Sequence, residues 1–297
     1  MNLQELLDLA EARLDAAALS YGHGTTNARD EAAWLVLWSL RLPLDSDLDE
    51  IATTPLADEQ VRDAQALIAR RIDTRQPAAY LTREAWLQGV PFYVDERAIV
   101  PRSFIAELIA DGGFDAWLCE DTHRVLDLCT GNGSLAVLAA MAWPDTVVTG
   151  ADLSPDALAV ARINVDRHGL QDRITLTESD GLAACPGPWD LVLCNPPYVN
   201  AGSMAALPPE FRAEPVLALA GGDDGMDFVR ALLRDLPSRL SPHGVLVLEI
   251  GHERPFFEAA FAPLEVVWLS TSAGDDQVLL LTAQALQAFA CPTDSRS

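Results

Sequence analysis

The chain has 297 residues, about half of them apolar, and its 44 acidic residues against 20 basic ones give a formal charge of −24 and a pI near 4.3. That length accommodates one large domain and one small one. The charge opposes a phosphate backbone and favours basic partners, unless it serves solubility alone. All twenty basic residues are arginine, which excludes a P-loop lysine, a Schiff-base lysine and a kinase-type lysine.

Five cysteines and five histidines show no C-x-x-C or H-x-x-x-H spacing, so neither a disulfide framework nor a metal site is expected. Cys129 and Cys194 lie in strand-like runs and read as small buried hydrophobes. The longest nearly apolar run, Ala32 to Leu40, is far too short to span a membrane. The first residues, MNLQELLDLAEARLDA, read as an acidic helix without the basic start of a secretory signal. A cytoplasmic protein with no membrane association is expected.

In chain order, Leu3, Leu6, Leu7, Ala10, Leu14 and Ala17 follow helical spacing. A second helix after Asn27 carries Ala32, Leu35, Val36 and Leu40, and Asp58 is placed to cap a third holding Val61, Leu67, Ile68 and Ile72. Trp34 and Trp38 read as core residues of this unit. Residues 1–83 therefore form a small all-helical domain. Residues 84–100 turn strand-like around Gly89, which predicts a linking β-hairpin.

Residues 101–285 alternate strands and helices. Strands are expected at 124–129, 147–152, 174–177, 191–195 and 245–250, helices at 134–142, 155–168 and 226–240, and a last strand pair at 264–270 and 277–281. Such alternation predicts an α/β, doubly wound, Rossmann-like sheet. Residues 286–297 read as a tail without an evident role.

The first strand runs into RVLDLCTGNGSLAVLAA, where Gly131-x-Gly133-x-x-Ala136 opens a helix and Asp152 ends the next strand. That spacing suits a dinucleotide, but Asp127 at the loop would repel a pyrophosphate and welcome a cationic amino group, which points to S-adenosylmethionine. Asp152 suits ribose hydroxyls with either cofactor. Asp180, after the third strand, offers an acceptor for an adenine amino group or simply caps a loop.

The fourth strand stops on Asn195-Pro196-Pro197-Tyr198. A planar amide or exocyclic amine is a poor nucleophile because its lone pair is delocalised. The Asn195 side-chain oxygen and the Pro196 carbonyl can grip its two N–H bonds and stabilise the charge that grows on nitrogen. The prolines remove competing N–H groups and fix the carbonyl's aim. Tyr198 can cover the flat face of the substrate group and meet a cationic methyl.

Together, the glycine loop, Asp152, Asp180 and the Asn-Pro-Pro-Tyr turn resemble the Rossmann-type methyltransferases of the HemK group, which are protein-(glutamine-N5) methyltransferases. Within it, PAAYLTREAW (Pro77 to Trp86) and FYVDERAIVPRS (Phe92 to Ser103) resemble the enzymes that modify a glutamine of large-subunit ribosomal protein L-three. The release-factor branch shows Pro-Arg-Pro-Glu-Thr where this chain reads Pro101 to Ile105. Asn132, Ser134, Phe104 and Asn200 also depart from the group's usual residues.

The resemblance implies that Asp127, Cys129, Thr130, Gly131, Asn132, Gly133, Asp152, Asp180 and Asn195 hold S-adenosylmethionine. It implies that Asn195, Pro196, Pro197, Tyr198 and Arg102 hold the glutamine, with Asn195, Pro196 and Tyr198 serving the transfer and the helical domain recognising a basic protein before ribosome assembly. EPVLALAGGDDGMD (Glu214 to Asp227) matches a loop of the group, with no role evident from its residues. A release factor is the alternative substrate. A nucleic-acid amino methyltransferase, for which the same turn would serve, is opposed by the charge and by the lack of a basic cluster. From other classes come an NAD-dependent oxidoreductase, which lacks a hydride-handling His or Lys near any motif, and a non-catalytic cofactor-binding protein, which turnover with a glutamine-bearing substrate would exclude.

Overall fold

A computed structural model describes residues 1–290. The amino-terminal helices are α1 (Leu3–Ala16), α2 (Ala28–Leu40), α3 (Leu48–Ile51), α4 (Asp58–Thr74) and α5 (Ala78–Thr82). Asn2 and Glu5 form a reciprocal capping box on α1, and Asn27 caps α2 by accepting from the Asp30 N–H. Asp58 is the first residue of α4 rather than its cap; the cap is Ala57, whose N–H is held by the Gln60 side chain. Leu3, Leu7, Leu35 and Ile68 meet in the core of this unit. Trp34 joins them, but Trp38, one turn further along the same side of α2, stands 38% exposed, so the core assignment holds for the first tryptophan only.

The hairpin β1 (Ala85–Leu87) and β2 (Val90–Phe92) follows. Its flanks enter two cores at once: Ala85, Val94 and Val100 pack with the helices, whereas Phe92 packs beneath the sheet. Then come α6 (Ile105–Asp111), β3 (Arg124–Leu128), α7 (Ser134–Ala142), β4 (Val147–Asp152), α8 (Pro155–Arg167), β5 (Ile174–Glu178) and β6 (Trp189–Cys194). The chain continues through α9 (Ala201–Ala206), α10 (Asp227–Asp235), β7 (Leu240–Glu249), α11 (Arg254–Phe261), β8 (Val267–Thr271), β9 (Gly274–Thr282) and α12 (Ala283–Ala290).

The seven-stranded sheet has the order β5-β4-β3-β6-β7-β9-β8, with β9 antiparallel to both neighbours and the other pairings parallel. Val125, Leu191 and Leu193 belong to the apolar cluster on one face, and Leu126, Val192 and Cys194 to the cluster on the other. Burial on both faces explains why these strands read as unbroken apolar runs. Chain order reverses between β3 and β6, which are direct neighbours, so the glycine loop and the Asn-Pro-Pro-Tyr turn leave the same end of the sheet side by side.

Three helices, α6, α9 and α11, lie where the sequence suggested none, and residues 286–290 belong to α12, with Leu286 fully buried, rather than to a tail. The remainder of the expected tail, including Cys291, lies outside the described residues.

Candidate active site

The loop after β3 is drawn tight by carboxylates. Asp127 is fully buried; its Oδ2 accepts from the Thr130 hydroxyl at 2.5 Å and from the Ala136 N–H at 2.9 Å, which ties the strand to the first turn of α7. Asp152, at the end of β4, accepts from the Gly131 N–H through Oδ2 and the Ser154 N–H through Oδ1, both at 2.9 Å. Gly133 adopts φ +80°, and a Cβ there would come within 3.0 Å of Ala161, so glycine is what lets α7 and α8 approach. The buried Asn164 of α8 bonds the Asn132 carbonyl at 2.8 Å and both main-chain groups of Tyr93, which fixes the loop to the hairpin's exit.

Two recesses open at this end of the sheet. The first is lined by Cys129, Gly131, Asp152, Asp180, Asn195 and Pro197, among others. The second is lined by Arg102, Asn195, Pro196, Tyr198, Phe211 and Glu249, among others. Asn195 stands in the wall of both, and among the described residues its carboxamide makes no hydrogen bond. Nine of the sequence-derived residues thus gather here: Cys129, Gly131, Asp152, Asp180, Asn195, Pro196, Pro197, Tyr198 and Arg102.

Asp127, Thr130, Asn132 and Gly133 do not line either recess. Thr130 and Asn132 are buried and hold the loop from behind. Asp127 keeps one oxygen, Oδ1, buried without a partner, and burial pushes its pKa up to about 7 despite the two bonds to Oδ2. The Cys129 thiol is pushed up by the Cys194 thiol beside it and by burial, so it is a neutral wall.

Two glutamates that sequence reading missed organise the second recess. Glu214 accepts from Arg102 through both oxygens, at 2.6 and 2.8 Å, and from the Val100 N–H at 2.9 Å, while His23 of the helical unit lies 3.4 Å away. Burial raises the Glu214 carboxyl, but Arg102 and His23 outweigh it and bring the pKa down to about 2. Glu249, at the end of β7, is buried and pushed up by burial; it accepts from the Ser103 hydroxyl at 2.6 Å, the Phe104 N–H at 2.9 Å and the Tyr198 hydroxyl at 3.4 Å. The only signals for them lay in the EPVLALAGGDDGMD loop and in a lone acid closing the apolar VLVLE strand.

That loop also acquires a physical role. Val199 exchanges main-chain bonds with Leu219 and Gly221, and a Cβ at Gly225 would strike the Tyr198 carbonyl, so residues 214–227 wrap the turn. Among the described residues, no group of three or more His, Cys, Asp or Glu side chains is placed to hold a metal ion. No helix among them is long and apolar enough to cross a membrane.

Residues 115–211 match the family described as Methyltransferase small domain. The chain is 52% identical over 287 residues, 96% of each chain, to the ribosomal protein uL3 glutamine methyltransferase of Bordetella pertussis. It is 51% identical to that of Burkholderia pseudomallei over 97% of this chain and 96% of the relative. It is 46% identical to that of Neisseria gonorrhoeae over 96% and 95% respectively. With that identity over nearly its whole length, and with a Rossmann-like sheet whose switch point carries both signature turns, the chain is a methyltransferase and belongs to the ribosomal protein uL3 glutamine methyltransferase family.

Proposed function

We propose that this protein transfers a methyl group from S-adenosylmethionine to the side-chain amide nitrogen of a glutamine in ribosomal protein uL3, in the cytoplasm and before the ribosome assembles. The observation that carries the reading is the position of Asn195, whose unbonded carboxamide belongs to both recesses at once. One recess takes the cofactor and the other the glutamine, so transfer crosses at Asn195.

The residues present fit the cofactor. Asp152 is held rigid by two N–H donors and keeps lone pairs for the ribose hydroxyls, and Asp180 stands exposed on the same wall. A Cβ on Gly131 would meet nothing within 4 Å, so open space lies against the loop. Asp127 Oδ1 is a buried acceptor without a donor, which the cofactor's ammonium group would satisfy. When bound, the cofactor supplies an activated methyl on a cationic sulfonium.

On the other side, the Asn195 oxygen and the Pro196 carbonyl accept from the two N–H bonds of the glutamine and hold its lone pair toward the first recess. Arg102, clamped by Glu214, keeps N–H groups beyond those used on Glu214 and Val100, and these donate to the amide oxygen. Tyr198 covers the flat face, steadied through its hydroxyl by Glu249. This arrangement orients a weak nucleophile and stabilises the positive charge it acquires.

The names of the relatives favour uL3 over a release factor. The direct test is mass spectrometry of uL3 and of release factors from cells with and without the gene. A methylated glutamine on uL3 that disappears with the gene is the expected result. Loss on a release factor alone would refute the substrate assignment.

A further inference from the structure

Away from both recesses, an open groove of about 880 Å³ runs between the helical unit and the hairpin. Its walls carry Trp38 of α2, Leu42, and Trp86 of β1, left 38%, 36% and 45% exposed, with Leu67 of α4 also lining it. Large apolar side chains gathered at one exposed place mark an interaction surface, and paired tryptophans are what such surfaces use as anchors. The hairpin wall is rigid, because its exit is bonded to Asn164 of α8 and the His168 ring meets the Pro91 carbonyl at 2.9 Å.

The charge around the groove selects the occupant. Along its walls Asp63 and Glu84 balance Arg41 and Arg70. The excess lies on the stretch of chain that joins two of its walls, Leu44 and Asp63: from Asp45 to Arg62 there are six carboxylates and one basic residue, Arg62. A second copy of this chain, itself at −24, would bring like charge to that border. A basic partner would bring the opposite sign, and its arginine or lysine side chains can lie over the indole faces.

We infer that this groove docks a segment of the protein substrate that is apolar at its centre and basic at its flanks, remote from the glutamine that is modified. The inference rests on the reading that uL3 is the substrate. Docking there would hold the substrate by a second point and leave the chemistry at Asn195 unchanged.

The test compares the full-length enzyme with two variants, Trp38→Ala/Trp86→Ala and Asp45→Arg/Asp63→Arg, all at exposed positions. Binding of purified uL3 is measured by calorimetry without cofactor, and methyl transfer is measured on uL3 and on a short peptide spanning only its glutamine. The expected result is at least a tenfold loss of affinity and rise in KM for uL3 in each variant, with kcat within twofold and the peptide's kcat/KM unchanged. Unchanged uL3 binding in the tryptophan variant overturns the inference, as does an equal loss on the peptide. A wild-type dimer that the tryptophan variant dissolves would assign the groove to self-association and overturn it too. Groove-dependent binding of uL3 without its methylation would refute the substrate reading and leave the docking surface standing; no binding to the wild type would overturn both.

Discussion

Replacing Glu214 with glutamine removes the charge that clamps Arg102 while keeping the side chain's shape. The carboxylate lies 3% exposed with its pKa brought from 4.5 to about 2. At about 1.4 kcal/mol per unit, that displacement corresponds to about 3 kcal/mol of stability in the ionised pair. Because the folded pKa lies below the unfolded one, this contribution is fully present above pH 4.5 and is lost as pH falls from there toward 2. The Glu214→Gln protein should therefore be about 3 kcal/mol less stable at pH 7, since the partly exposed Arg102 guanidinium loses its counter-charge. The gap should narrow steadily below pH 4.5. Urea unfolding of both proteins at pH 7, 5, 4 and 3 reads it directly, since the titrations of all other carboxylates cancel in the difference. A gap that stays constant down to pH 3 would refute the assignment of a depressed carboxyl here. The same variant should raise KM for the glutamine substrate, because Arg102 would no longer be held at the recess wall.

Asn195→Ala should lower kcat by on the order of 10²-fold or more, as loss of one preorganised polar contact does. Calorimetry should show a smaller loss of cofactor affinity, and equal losses would make Asn195 chiefly a cofactor residue. Asp127, with its pKa raised to about 7, must be deprotonated to meet a cationic ammonium group. Cofactor affinity should therefore fall up to tenfold per pH unit below about 7, and Asp127→Asn should flatten the profile; a wild-type profile flat from pH 8 to 6 would remove Asp127 from the cofactor's reach. Rising salt should lower kcat/KM for a basic protein substrate and leave kcat unchanged, read by initial rates from roughly 0.05 to 0.5 M salt, over which the Debye length shortens severalfold. Indifference to salt would show the acidic surface to have no part in encounter.

The parallel sheet was legible because its strands are buried on both faces and so spell continuous apolar runs, and because Gly131, Asp152 and Asn195 each terminate one. Local signals located each of those turns, and topology placed Asn195 beside the loop. Trp38 was misread because helical spacing puts it one turn from Trp34 on the same side of α2 without showing where the covering residues end; Trp34 packs in the core of the helical unit, whereas Trp38 lies in the open groove. Asp127 stands out in the sequence as an acid beside the glycine loop, yet its spacing could not show that Thr130 and Ala136 already hold one oxygen. Glu214 and Glu249 were invisible as site residues for a different reason. Their partners lie 112 and 146 positions away, at Arg102 and Ser103, and no periodicity connects such distances. The helices α6, α9 and α11 are seven, six and eight residues long, too short for a periodic pattern to declare itself.

The chain's acidity thus divides into two populations with different physical work. Glu31, Glu210, Glu214, Asp127 and Glu249 are buried, and each is engaged by arginine, a hydroxyl or backbone N–H groups. Glu210 accepts from Arg75 at 2.9 Å and Glu31 from Arg71 at 2.7 Å, so ion pairs link α2 to α4 and the end of α4 to the chain just before the loop that wraps the Asn-Pro-Pro-Tyr turn. Buried pairs of this kind add little net stability, but breaking one is costly, so they fix the helical unit against the chain around Glu210. Many of the other carboxylates, such as those from Asp45 to Glu59, stand in solvent, where they generate a long-range field and add little to stability. Salt should therefore act on the encounter with a basic substrate while leaving the geometry at Asn195 intact, because the charges that set that geometry are shielded from it.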